Sequence, residues 1–217
     1  MKKLLITSLV GIMLFGFSGF AFAMVGTPLP IGGYAFPSGA SNLSGVTQID
    51  HMISNYSHGT VFGTLEAWVY SDDTDSNLIF AYQVYNNASS GDGIARVTST
   101  SFAGYTTAVG FDNTSGTLSP AYWDRGSETT VGAQFETAPI PSLGYAGTPD
   151  VAPGQTSNIW WIKTNSNVYV LGEASVINGG AANVQTFAPS AIPEPGSLML
   201  LGMGILGLFG LGKKRKI

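Results

Sequence analysis

The chain has 217 residues, enough for one ordinary domain with targeting segments at its ends. It has no cysteine, which excludes a disulfide framework, a thiolate zinc site and a cysteine nucleophile. The formal charge of −4 hides a segregation: between Met24 and Ser190 the only basic residues are Arg96, Arg125 and Lys163 against twelve acidic ones, so the clustered Lys and Arg of a phosphate-binding surface are absent and nucleic acid is excluded as a partner.

The first element is a secretory signal. Lys2 and Lys3 form its positive start, and residues 4–20 are apolar and uncharged. Ala21 and Ala23 supply the small-x-small exit that a signal peptidase reads, so cleavage is expected before Met24 and residues 1–23 are a signal peptide. A retained membrane helix would have no use for that exit.

Residues 24–190 read as the exported domain. Pro28, Pro30 and Pro37 with several glycines make the segment up to Gly45 an irregular lead-in with one short strand. Residues 51–56 fit one short helical turn. Period-two alternation begins at Thr60: Val61, Gly63, Leu65, Ala67 and Val69 share one face, and Phe62, Thr64, Glu66, Trp68 and Tyr70 the other. Further strands are predicted over 78–85, 94–99, 105–111, 130–136, 158–163 and 167–177, separated by Gly, Pro, Asn or Asp. Abundant aromatics, few charges and no long apolar stripe of helical period indicate a folded all-β domain. Eight to ten short strands without crossover helices predict a single antiparallel β-sandwich, jelly-roll-like or Ig-like.

Several residues invite chemistry. Asp73, Asp75 and Asn77 alternate in a turn, as the first ligands of a calcium loop do, but Leu78 and Val84 stand where an EF-hand needs Gly and Glu. The plain reading is a solvated acidic hairpin turn. His51 and His58 lack a metal-binding spacing, and no nucleophile elbow accompanies Asp50 and His51. Glu66, Glu128, Glu136 and Glu173 could supply a glycosidase pair, or simply lie on outer strand faces. Trp68, Trp123, Trp160 and Trp161 are candidate sugar-stacking rings. Adjacent Trp160 and Trp161 must point to opposite faces of a strand, which predicts one in the core and the other outward or at an edge. Sequons begin at Asn42, Asn55, Asn87 and Asn113, as chance allows in a chain rich in Asn, Ser and Thr.

The last element spans 191–217 and has three parts. Pro193, Glu194 and Pro195 with Gly196 stop any preceding regular structure. Residues 196–212 come next, apolar and glycine-rich; at ~1.5 Å each they span ~25 Å as a helix, just short of a ~30 Å hydrocarbon core. Lys213, Lys214, Arg215 and Lys216 then place the chain's end in the cytoplasm and the domain outside. A G-x-G-x-x-G at Gly202, Gly204 and Gly207 lies inside this apolar segment, without the strand and βαβ unit of a dinucleotide site. The order Pro-Glu-Pro, transmembrane helix, basic cluster resembles the PEP-CTERM sorting signal of Gram-negative bacteria. The resemblance implies that an exosortase, a membrane transpeptidase-like enzyme, recognises Pro193, Glu194 and Pro195. It implies that Lys213 to Lys216 retain the tail in the inner membrane until processing, and it links the protein to exopolysaccharide and biofilm matrix.

The expected function is therefore that of an exported cell-surface or extracellular-matrix protein, not an enzyme, with no cofactor beyond a conceivable calcium ion. Extracellular polysaccharide is its candidate partner. A carbohydrate-binding module and a secreted hydrolase are the alternatives.

Overall fold

A computed structural model describes residues 26–136 and 150–190. The signal-peptide residues, Met24 and the whole 191–217 tail lie outside these. The described chain is all-β, and no α-helix occurs among its residues.

Two six-stranded antiparallel sheets share one core. The first contains β1 (Thr27–Pro28), β3 (Val46–His58), β4 (Val61–Asp72), β5 (Leu78–Asn86), β7 (Thr107–Asp112) and β10 (Ile159–Thr164), in the order β1-β7-β10-β5-β4-β3. The second contains β2 (Tyr34–Ala35), β6 (Arg96–Ser99), β8 (Tyr122–Asp124), β9 (Val131–Gln134), β11 (Tyr169–Asn178) and β12 (Gly180–Pro189), in the order β12-β11-β6-β9-β8-β2. The inner face of β4 is the one the alternation selects: Val61, Leu65, Ala67 and Val69 are buried. They meet Phe80, Tyr82 and Val84 of β5, Trp160 and Ile162 of β10, and Ala174, Val176, Val184 and Phe187 of the second sheet. Tyr82 stacks on Trp160 with ring centroids 4.5 Å apart, and its hydroxyl bonds Ser99 Oγ across the core at 2.8 Å.

Two expectations need correction. Residues 51–56 are not a helical turn but the middle of β3, a thirteen-residue edge strand with a register shift between Gln48 and Asp50. Trp160 and Trp161 do point to opposite faces, yet neither reaches solvent: both are 0 % exposed. Trp160 fills the core. Trp161 packs with Ile79 and Ala81 on the outer face of the first sheet, under Leu43, Val46, Trp68 and Tyr70.

The glycine- and proline-rich lead-in makes this cover. Trp161 Nε1 donates to Ser41 O at 3.4 Å, Ser41 N to Phe111 O at 2.8 Å, and Leu43 N to Asp112 Oδ2 at 3.0 Å. A flat ring must lie on the sheet for the cover to close, and Gly110 allows it: a Cβ there would sit 2.2 Å from Trp161 Cζ2. Gly110→Ala is expected to cost about 1–3 kcal/mol by overpacking. In a thermal-unfolding cycle with Trp161→Phe, the two losses should sum to more than the double variant shows. Additive losses would mean that Gly110 serves something other than the ring.

Candidate functional site

The acidic turn lies between β4 and β5. Asp72 ends β4, fully buried; its Oδ1 accepts from Thr74 N and Thr74 Oγ1, and Ser76 takes positive φ to close the turn. The candidate calcium ligands already have partners. Asp73 Oδ1 accepts from Thr47 Oγ1 at 2.8 Å, and Asp75 Oδ1 accepts from Asn77 N at 2.9 Å. The cation between the carboxylates is Lys163 of β10, with Nζ 2.6 Å from Asp72 Oδ2 and 2.9 Å from Asp75 Oδ2. Burial alone would raise the Asp75 carboxyl, but bonds from Lys163 and Asn77 outweigh it and hold it below its ordinary value. Burial would lower Lys163, but Asp72 and Asp75 reverse this and raise it. Among the described residues no three His, Asp or Glu side chains are grouped to hold a metal ion.

The histidines are far apart in role. His51 Nε2 lies 2.6 Å from Glu66 Oε1, and its ring stacks on Trp68 at 5.3 Å. His58 lies over Gly180, where a Cβ would come 1.7 Å from its Nε2. Asp50 accepts the Tyr169 hydroxyl at 3.0 Å. The candidate glutamates come from different elements: Glu66 of β4 is paired with His51, Glu128 lies in the turn between β8 and β9, and Glu173 lies on β11 of the other sheet from Glu66.

Of the four tryptophans, only Trp68 is part-exposed; Trp123, Trp160 and Trp161 present no stacking face to solvent. Trp123 does line a cavity of about 140 Å³ with Thr27, Pro37, Ser38, Ser41 and Phe111. Its Nε1–H is buried without a hydrogen-bond partner. Sequence reasoning missed this cavity because the lead-in and β7 that build it are some 70 residues apart.

The described chain ends at one pole of the domain. Ser190 N donates to Val168 O at 2.9 Å, and Ser166 Oγ donates to Ser190 O at 3.2 Å, so residue 190 is fastened at the junction of β10 and β11. The segment beyond residue 190 decides the address. Residues 191–216 match the family model of the PEP-CTERM protein-sorting motif. The chain carries this sorting motif. The match contains Pro193, Glu194, Pro195 and Lys213 to Lys216. The motif supports an exported protein sorted by an exosortase and anchored in the membrane before processing. No curated protein and no solved structure matches the chain.

Proposed function

We propose that the chain is a non-catalytic surface or matrix protein delivered through its PEP-CTERM motif. Signal peptidase cuts between Ala23 and Met24. The β-sandwich of residues 24–190 reaches the outer side of the inner membrane, while the apolar tail and Lys213 to Lys216 hold the precursor there. An exosortase then processes the chain at Pro193, Glu194 and Pro195, and the acidic domain joins the cell surface or the biofilm exopolysaccharide. The observation that carries this reading is the motif match at 191–216.

The test is intact mass and cell fractionation in the native host, beside a variant with Pro193, Glu194 and Pro195 changed to alanine. The wild-type chain should begin near Met24, lack the tail and leave the inner membrane, while the variant remains there at full tail length. If both keep Lys213 to Lys216 and stay in the inner membrane, the tail is an ordinary anchor.

The Trp123 cavity favours a second reading, a carbohydrate-binding role. Its lining is uncharged and bears hydroxyls, with one unpaired indole donor, which suits a neutral polyol or sugar residue. Binding on a glycan array that Trp123→Phe abolishes would support it; a blank array removes it.

A further inference from the structure

The pole where the chain exits carries exposed aliphatic side chains. Leu171 is 58 % exposed and Val170 47 %, and Val168 is also exposed. Successive residues of a strand point to opposite faces, so both sides of the β11 end carry bare aliphatic side chains. Tyr169, between them, pairs with Pro189 across the ladder and reaches Asp50, next to Ile49, which is exposed as well. Val168 and Tyr169 thus lie beside the point where Ser190 leaves the domain, Val170 and Leu171 follow them along β11, and Ile49 adjoins the Asp50 that Tyr169 reaches.

From these positions we infer that the pole bearing Val168, Val170, Leu171 and Ile49 rests on the lipid bilayer while the precursor is membrane-anchored. The inference relies on the membrane-anchor reading of the tail. Five residues, 191–195, separate Ser190 from the apolar segment. The six Cα–Cα steps from Ser190 to Gly196 reach at most about 22 Å at ~3.6 Å each, so the pole cannot leave the neighbourhood of the lipid surface. Tethering on so short a link makes even a weak apolar contact effective, an advantage that a freely diffusing partner or second copy lacks. Charge does not drive the contact. Arg96 is tied to Asp124, Lys163 to Asp72 and Asp75, and Arg125 is buried, so no free cation among the described residues remains to seek anionic headgroups. The contact is apolar and needs no anionic headgroup, and on a zwitterionic bilayer it is insensitive to salt. It turns a fixed face of the domain to the membrane and keeps residues 191–195 at the lipid surface, where a membrane enzyme works.

The absence of cysteine permits a direct test on the full chain reconstituted in phosphatidylcholine vesicles. A polarity-sensitive fluorophore is placed at Asn167→Cys beside the patch, at Ser89→Cys beyond the far end of β5, or at Leu208→Cys in the tail. Lipids brominated near the headgroup should quench the labels at 167 and 208 and leave 89 unchanged, equally at low and high salt. Val170→Ser with Leu171→Ser should abolish quenching at 167, keep it at 208 and leave the melting temperature unchanged, since both side chains are exposed. Quenching at 208 without quenching at 167 overturns the inference and leaves the membrane-anchor reading standing. Quenching at neither overturns both. Disulfide dimers of the unlabelled Asn167→Cys protein, with no quenching of the labelled one, assign the patch to a second copy, and quenching that survives the double serine variant removes the aliphatic contact.

Discussion

Arg125→Met is expected to destabilise the domain by about 3–4 kcal/mol and to lower its melting temperature by about 10 °C. Arg125 is 2 % exposed, and both terminal nitrogens of its guanidinium donate to neutral acceptors, while Nε is buried without a partner. Nη1 donates to Tyr105 O and Thr107 Oγ1 at 3.0 and 3.1 Å, and Nη2 to Phe102 O and Glu128 O at 2.8 and 3.1 Å. Its backbone adds two bonds, accepting from Gly32 N and donating to Gly33 O. One side chain thus ties the 102–107 loop to the turn after β8, and the backbone of the same residue ties both to the lead-in. Burial pulls the guanidinium below its ordinary value, and the Glu128 carboxylate offsets part of that. The group stays charged throughout the accessible pH range. Methionine fills much of the volume but leaves carbonyl oxygens without donors, each costing roughly 1–3 kcal/mol. Arg125→Lys should recover only part of the loss, because an ammonium cannot reproduce the planar fork that reaches four acceptors at once. Thermal unfolding of the three proteins checks this. A lysine variant as stable as the wild type would show that charge, not fork geometry, matters at this position.

How much of this was legible in the sequence depends on where the signal resides. β4 and β5 could be read because they are central strands with one face in the core, so their apolar residues alternate or run together. β3 could not. As an edge strand it buries little, its residues are largely polar, and the register shift at Gln48 and Asp50 breaks the period. β12 left a trace that the strand prediction ending at 177 passed over: Asn178 and Gly179 form an Asn-Gly pair, Gly179 has φ +63°, and Ala182 and Val184 alternate with exposed residues. Alanine's weak preference for strands hid that alternation. For Trp160 and Trp161, strand geometry correctly separated the two rings. The cover over Trp161 depends on contacts 120 residues apart, as with Trp161 Nε1 and Ser41 O, and no local pattern encodes those. The sorting tail is the reverse case. Its recognition needs only a short linear order of residues, so it was fully legible although the domain's own partners were not.

The Lys163 ion pair shows the same limit and makes the second large prediction. Asp73, Asp75 and Asn77 were visible as a cluster, but the cation that joins Asp75 and its neighbour Asp72 comes from 91 residues further along the chain. Lys163→Met should cost about 3–5 kcal/mol near neutral pH, because it leaves the fully buried Asp72 carboxylate without a countercharge. The pH dependence is set by the directions of the shifts. Lys163 is raised above its ordinary 10.5, so its contribution is complete below that pH and is lost as pH rises through the higher folded value. Asp75 is lowered from 3.8, so its contribution is present above 3.8 and is lost as pH falls through the lower folded value. Asp112 adds to the same acid limb: burial would raise it, but bonds from Thr114 and Leu43 lower it. Wild-type stability should therefore be flat across the middle of the range and fall at both ends. In Lys163→Met the buried Asp72 carboxylate has lost its lysine countercharge, and protonation relieves that cost, so the variant recovers part of its deficit on acidification. Adding Asp72→Asn to Lys163→Met should restore much of the loss at neutral pH, since neither charge is then buried alone. Denaturant unfolding at acidic, neutral and alkaline pH reads all three effects. A deficit in Lys163→Met that stays constant with pH would mean that the side chain acts by packing its aliphatic stem, and that the turn's carboxylates do not depend on its charge.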